Sequence, residues 1–198
     1  MHKIAVLISG SGSNLQSIID SIEKGELNCS IEAVISDNEN AYGLVRAKEK
    51  NINTYVVDKK VLGEKLSEEI FNIIDGKVDL IVLAGYLSIL KGKILRSFKG
   101  RIINIHPSLL PAFGGKGMYG LRVHKKVIET GIDVSGCTVH FVDEEIDNGD
   151  IILQKTVAVY SDDTPESLQQ RVLQQEHIAL PEAIKMVVEG LDNEKSIN

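Results

Sequence analysis

Several functional classes are excluded by what this 198-residue chain does not contain. Its two cysteines, Cys29 and Cys137, form no Cys-x-x-Cys pair and stand at no metal-ligand spacing from a histidine. Neither a zinc site nor a disulfide framework is therefore expected, and two lone thiols fit a reducing cytosol. Positive charge is not in excess: 22 Lys and Arg stand against 28 Asp and Glu, a formal net charge of −6. No nucleic-acid partner is expected of such a chain, although small anionic substrates remain admissible, since a local site can be positive. The longest apolar stretch, around 80–90, is too short to span a bilayer, so no membrane partner is expected. The opening Met1-His2-Lys3-Ile4 runs straight into a strand pattern and lacks the apolar core and cleavage site of a signal peptide. There is no repeat, low-complexity tract or linker, so residues 1–198 read as a single domain, with a polar tail at 192–198 expected to fray. With 43% hydrophobic and 25% charged residues, the composition is that of an ordinary soluble globular protein, as a monomer or a homodimer.

What is present is an alternation of strands and helices. The continuous apolar run 4–8 suits a strand buried on both faces. Residues 9–13 are a Gly/Ser loop, and 14–22 have helical spacing, with Leu15, Ile18, Ile19 and Ile22 on one stripe. Further strands are expected at 31–35, 54–57, 80–84 and 102–105. Further helices are expected at 42–50, at 62–74 and from Gly85 to residue 98. This implies an α/β fold with a mostly parallel central sheet and helices on both faces. After a helix at 121–129 the pattern changes. Strands at 137–142 and 151–159 flank Asn148-Gly149, a hairpin signal, so the later part of the sheet should be antiparallel. A C-terminal helix is expected from Thr164-Pro165, a capping residue followed by proline in the first turn. Pro181 is expected to kink or break it.

The segment 101–111, Arg-Ile-Ile-Asn-Ile-His-Pro-Ser-Leu-Leu-Pro, carries most of the chemistry. On a strand, Asn104 and His106 share one face, while Ile103 and Ile105 take the other. Pro107, with no N–H for the ladder, ends the strand. A proton carrier beside an amide donor at a strand end suits acyl chemistry, in which one group moves protons and the other steadies an oxyanion. The turn at 145–149 offers Asp147 as a carboxylate partner for His106, which would favour a charged imidazole and orient it. The plainer reading of Asp147 is an acid chosen for its turn chemistry. Asp143, Glu144, Glu145 and Asp150 do not follow an EF-hand pattern and read as solvated, so no metal is expected. His140 alternates with Val139 and Phe141 and is either a core residue or a support behind the site. His124, at the end of the Gly-rich stretch 114–124, reads as a helix-start residue.

Gly10-Ser11-Gly12-Ser13-Asn14 follows the first strand and opens the first helix. Its successive N–H groups, at a helix N-terminus, suit an anion, and Ser13 and Asn14 are candidate caps. As a dinucleotide fingerprint with Asp37 as ribose acid the match is incomplete, because Leu15 replaces the third glycine. On the C-terminal helix, Glu176 follows Leu168 and Val172 and precedes Leu180 at four-residue spacing. It lies either at the rim of an apolar stripe or inward, where it would receive donors from a substrate.

Together these residues resemble the phosphoribosylglycinamide formyltransferase family over nearly the whole chain. The resemblance rests on Ile-Ser-Gly-Ser-Gly-Ser-Asn-Leu-Gln (8–16), Val-Leu-Ala-Gly-Tyr (82–86), Asn-Ile-His-Pro-Ser-Leu-Leu-Pro (104–111), Gly-Cys-Thr-Val-His-Phe-Val-Asp (136–143), Ile-Asp-Asn-Gly (146–149) and Gln-Glu-His (175–177). The asparagine–histidine segment is shared by several formyl-tetrahydrofolate enzymes. The first loop and Gln-Glu-His are more particular to the glycinamide enzyme.

The resemblance implies a Rossmann-like formyltransferase fold and a cytoplasmic enzyme of purine biosynthesis. That enzyme would move formyl from 10-formyltetrahydrofolate, a co-substrate, to the amine of glycinamide ribonucleotide. By the same resemblance Asn104, His106 and Asp147 are the catalytic trio, and Gly12, Ser13, Asn14 and Glu176 hold the ribonucleotide. Tyr86, Leu87, Ser88, Ile89, Leu90, Asn104, Val142 and Asp143 enclose the folate.

The chain departs from the family at Ser88, where a basic or larger residue is common, and at Asn148-Gly149-Asp150. It has no clear arginine for the folate's glutamate tail, for which Lys59, Lys60 and Lys65 are the nearest candidates. Leu110-Pro111 is a candidate cis bond.

Competing readings are weaker. A formyl-folate hydrolase would be expected to carry a regulatory domain before the first strand. A methionyl-tRNA formyltransferase would carry a basic C-terminal domain. A dehydrogenase is opposed by Leu15, and a non-catalytic sensor leaves the Asn104–His106 pair idle.

Overall fold

In the computed structural model, which describes residues 1–197 (side chains to 193), the apolar run of β1 (His2–Ile8) is wholly buried from Ile4 onward. It lies between two parallel neighbours, β2 (Cys29–Ser36) and β4 (Leu80–Leu83), which is why both of its faces are apolar. The short β3 (Thr54–Val56) adds to β2, and β5 (Ile102–His106) adds to β4, both parallel. Beyond β5 the sheet turns antiparallel through β6 (Val134–Phe141) and β7 (Ile151–Ala158), as predicted. The strand order is β3-β2-β1-β4-β5-β6-β7.

Alternation along β1 divides the core. Ile4, Val6 and Ile8 face α1 (Ser13–Glu23), α2 (Tyr42–Glu49), α6 (Leu121–Thr130) and α7 (Pro165–Ile197). Ala5 and Leu7 face α4 (Leu66–Ile74) and α5 (Lys93–Ser97). The chain leaves β1 toward β2 on one side and reaches β4 on the other. A crevice opens at the carboxyl ends of such a pair. Two bonds fix it here: the Ser9 N–H donates to the Gly85 carbonyl (3.2 Å) and the Leu87 N–H donates to Ser9 Oγ (2.8 Å).

The structure departs from the expectations at several places. The helix at 62–74 is divided into α3 (Lys59–Leu62), a 3₁₀ turn (Gly63–Lys65) and α4, because Gly63 takes a left-handed φ of 51°. The stretch after Gly85 is helical only in α5. Gly85 and Gly92 have φ of 75° and 74°, and the Lys91 N–H is taken by Ser67 Oγ at 3.0 Å. Asn148-Gly149 is not a two-residue turn but the end of the loop 142–150, and a Cβ at Gly149 would lie 1.9 Å from the Phe141 carbonyl oxygen. Pro181 does not break α7, since Leu180, Ala183 and Ile184 on both sides of it are fully buried against the sheet. Packing of that stretch outweighs the one backbone bond that proline removes, a cost of about 3 kcal/mol. The tail expected to fray is helical as far as Ile197, and Asn198 lies outside the described residues. The Leu110-Pro111 bond is cis. No described helix is long and apolar enough to cross a membrane.

The predicted start of α7 is reciprocal. Thr164 Oγ1 accepts the Ser167 N–H (3.2 Å) and Ser167 Oγ accepts the Thr164 N–H (3.0 Å). Just before it, the Arg171 guanidinium grips Asp163 with two bonds of 2.7 and 2.9 Å and holds its carboxyl well below the usual range. A depressed carboxyl stabilises the fold above the unfolded pKa, near 4, and that contribution fades as pH falls below it. Asp163→Asn is expected to cost about 1–2 kcal/mol at pH 7. In urea melts the gap from the parent should close as pH falls below about 4; a gap independent of pH would show that the ion pair is not its source.

Candidate active site

β5 lifts Asn104 and His106 to the end of the sheet while Ile103 and Ile105 join the core on the opposite face. The predicted division of this strand into a polar and an apolar face is therefore what the chain adopts. In the antiparallel register, Asn104 stands opposite His140 and His106 opposite Thr138. Asn104 Nδ2 lies 3.1 Å from His140 Nε2, so His140 is both buried in the core and bonded to the site.

His106 is buried, with Nε2 2.8 Å from the Phe113 carbonyl oxygen. That carbonyl can only accept, so Nε2 carries a hydrogen. Nδ1 faces Asp147 Oδ2 at 3.6 Å. This is longer than a direct hydrogen bond, so the two groups face each other as an ion pair would without being bonded. Asp147 takes a left-handed φ of 56°, a conformation Asp tolerates, and its Oδ2 accepts the Gly115 N–H at 2.8 Å. Its Oδ1 lies 3.7 Å from His140 Nε2. The loop after β5 and the loop after β6 thus close on one carboxylate.

On the other side of the crevice, Gly12 caps α1 in a left-handed conformation (φ 70°), and neither Ser13 nor Asn14 makes a side-chain cap. A Cβ on Gly12 would stand 2.5 Å from Gly43 Cα, so α1 and α2 approach where neither residue has a side chain. This approach brings in Arg46, whose Nε donates to the Ser11 carbonyl at 2.9 Å. Sequence reasoning missed Arg46; its signal was the glycine inside the helix at position 43.

The Asn14 amide instead donates to Glu176 Oε2 at 2.7 Å. Glu176 is 8% exposed, which removes the rim alternative. Burial pushes its carboxyl up, and the Asn14 bond pulls only partly the other way. His124 was also under-read. It is buried on the cavity wall with an unpartnered Nδ1, and burial, with the charge of His106 second, pushes it down to about 4.

His124 and His140 line one cavity of about 840 Å³, which Arg46 does not. Gly12, Ser13, Asn14 and Glu176 line it together with Asn104, His106 and Asp147. Tyr86, Leu87, Ser88, Ile89 and Leu90, together with Val142 and Asp143, also line it. Leu87, Ile89 and Ile146 present exposed apolar side chains there. Of the lysines considered for an anionic tail, Lys59 lines the cavity, whereas Lys60 and Lys65 do not. Asp37 is not a free ribose acid, because Ser88 Oγ donates to it at 2.5 Å. No metal-binding group of His, Cys, Asp or Glu occurs among the described residues.

The formyl transferase family matches residues 2–184. A phosphoribosylglycinamide formyltransferase of Haemophilus influenzae is 45% identical over 193 residues, which cover 96% of this chain and 89% of that protein. The trifunctional purine biosynthetic protein adenosine-3 of Gallus gallus is 42% identical over 191 residues, 95% of this chain but 18% of that longer protein. Among solved structures, glycinamide ribonucleotide transformylase 1 from Symbiobacterium toebii superposes with a TM-score of 0.90 at 42% identity, covering 96% of this chain and 89% of that one.

The buried Glu176 carboxylate yields a prediction on the empty protein. A raised carboxyl destabilises the fold once pH exceeds the unfolded value near 4, because the folded state resists ionisation. Glu176→Gln is therefore expected to stabilise the ligand-free protein at pH 7, with the gain vanishing below about pH 4. Thermal melts across that range check it; a destabilised variant at pH 7 would contradict the burial argument.

Proposed function

The chain belongs to the formyl transferase family, and from that premise we propose that it transfers formyl from 10-formyltetrahydrofolate to the amine of glycinamide ribonucleotide, a step of purine biosynthesis. The observation that carries the reading is the convergence of an anion-binding turn, a buried carboxylate and an amide–imidazole–carboxylate trio on one cavity. Its volume lies within the range of small-molecule sites.

In this reading the ribonucleotide phosphate sits on the N–H groups of Gly12, Ser13 and Asn14, with Arg46 supplying positive charge beside them. Glu176 receives the sugar hydroxyls or the glycinamide end. The pterin lies between 86–90 and 142–147, met by backbone groups and by the apolar rim. Asn104 and the Asp143 segment contact the folate as well. The acceptor amine then faces the formyl carbon, and holding the two substrates together removes much of the entropic barrier.

The amine attacks the formyl carbon, and a C–N bond forms as the carbonyl electrons move to oxygen. The Asn104 amide donates to that oxyanion. With the Nε2 hydrogen held by Phe113, the working edge of His106 is Nδ1. A proton there makes the approach to Asp147 attractive, and the resulting imidazolium stabilises the developing negative charge. Collapse breaks the bond to the folate nitrogen, and a proton leaves the incoming amine as one reaches the departing nitrogen. Asp147, 3.6 Å from His106, with a water held beside the pair, suits that relay. No covalent enzyme intermediate is needed. The acceptors are small molecules, not nucleic acid or membrane, and the enzyme acts as a single domain, a monomer or a homodimer. The unpaired, buried Cys29 and Cys137 agree with a cytoplasmic setting.

Purified protein should release tetrahydrofolate when glycinamide ribonucleotide is present and stay inert with water as the sole acceptor; hydrolysis without the ribonucleotide would favour a hydrolase. His106→Ala should lower kcat by about 10³-fold. Calorimetry should find its ribonucleotide affinity within about threefold of the parent, because a general acid–base group acts on the chemical step. Unimpaired turnover would remove His106 from the mechanism.

A further inference from the structure

Two imidazoles flank the Asp147 carboxylate, and the reaction as proposed uses only that of His106. His140 is 2% exposed, and each of its ring nitrogens has a defined neighbour. Nδ1 lies 2.8 Å from the Phe141 carbonyl oxygen. A carbonyl oxygen only accepts, so Nδ1 carries a hydrogen. In a neutral ring, Nε2 then holds a lone pair and must accept. The group 3.1 Å from it is the Asn104 carboxamide. The amide must therefore turn its NH₂ toward His140, since its oxygen would meet a lone pair. Neutrality agrees with the surroundings: burial lowers the His140 imidazole from the ordinary histidine range, against a weaker upward pull from the Phe141 carbonyl and Asp147. Asp147 Oδ1 stands 3.7 Å from Nε2, beyond bonding distance.

We propose that His140 is a positioning residue for formyl transfer: as a neutral acceptor it fixes which way round the Asn104 carboxamide sits. This rests on the formyl-transfer reading of the cavity. An asparagine amide is nearly symmetric in shape, and nothing steric separates its two orientations. With NH₂ turned to His140, one amide hydrogen is used by Nε2. Among the described residues no protein acceptor takes the second, so it is available to an oxyanion. Turned the other way, the amide would offer oxygen to a developing negative charge. The effect belongs to the transition state, where the charge is greatest, and so to kcat more than to KM.

The test compares His140→Leu, which fills similar space without an acceptor, with His140→Gln, whose amide oxygen can restore one. The Leu variant is expected to lose about 10²-fold in kcat, the scale of one oxyanion donor, with KM within about threefold of the parent. The Gln variant should recover most of that loss. In an Asn104→Ala background His140→Leu should cost little more, because the two act as one unit. A Leu variant with parental kcat, or equal losses with and without Asn104, would overturn the proposal.

Nitrogen-15 NMR of histidine-labelled parent protein, without substrates, should find Nδ1 of His140 protonated and Nε2 bare. Both nitrogens protonated, or the reverse tautomer, would overturn the proposal even if the Leu variant failed to fold. A parent enzyme with no transferase activity would instead refute the functional reading, and the NMR tautomer would still decide the arrangement of His140 and Asn104.

Discussion

The antiparallel register between β5 and β6 is the constraint on which the site depends. It sets Asn104 opposite His140 and His106 opposite Thr138. A slip of one residue would invert every side chain on β5, turning Ile103 and Ile105 out of the core where both now lie buried. Each such isoleucine is worth about 1.5–3 kcal/mol of burial, so the two together outweigh the cost of about 1–3 kcal/mol for a buried polar group left imperfectly bonded. The apolar half of the strand therefore holds the polar half in place. Thr138 extends the same control past the end of β5. Its hydroxyl donates to the Ser108 carbonyl (2.7 Å) and accepts the Leu110 N–H (3.0 Å), so the chain leaving His106 is tied back to β6.

From that anchor two loops interlock. The segment following β5 gives the Phe113 carbonyl to His106 and to Ser108 Oγ, and the Gly115 N–H to Asp147. Gly114 lies between them, where a Cβ would come 2.6 Å from Leu110 Cδ2 and 3.1 Å from Asp147 Cβ. Asp147 reaches the imidazole edge because that glycine leaves space. Its position is thus a property of both loops, and neither strand alone would fix it.

This explains how far the sequence could be read. The sheet, its antiparallel end, the polar face of β5 and the start of α7 follow from periodicity and capping chemistry, which act over a few residues. Glu176 was visible as a charge on an apolar stripe, but its inward position needed its partner Asn14, distant in sequence. Arg46 escaped because its role comes from helix α2 touching the turn at Gly12, a contact 30 or more residues away in the chain, as its Ser11 bond records. Residues 86–92 read as helix because Leu87 and Leu90, three apart, are good helix formers. Two left-handed glycines and side-chain hydroxyls on other elements overrode that propensity. Pro181 misled for the opposite reason: a local helix-breaker lies within a helix held from both sides by packing.

The same packing decides where charge can reside. One carboxylate, Asp147, has imidazoles near both oxygens, at 3.6 Å for His106 and 3.7 Å for His140. Two imidazoliums that close in a poorly solvated site would repel strongly. Only one can hold the proton without that cost, and the hydrogen-bond pattern separates them. His140 has a carbonyl at one nitrogen and needs a bare nitrogen at the other to receive Asn104. His106 has a carbonyl at one nitrogen and the Asp147 carboxyl facing the other. His124, buried nearby, is pushed toward neutrality by burial and by the charge on His106. Burial thus disfavours charge on His140 and His124, and His106 alone of the three turns an otherwise unbonded nitrogen toward the carboxylate.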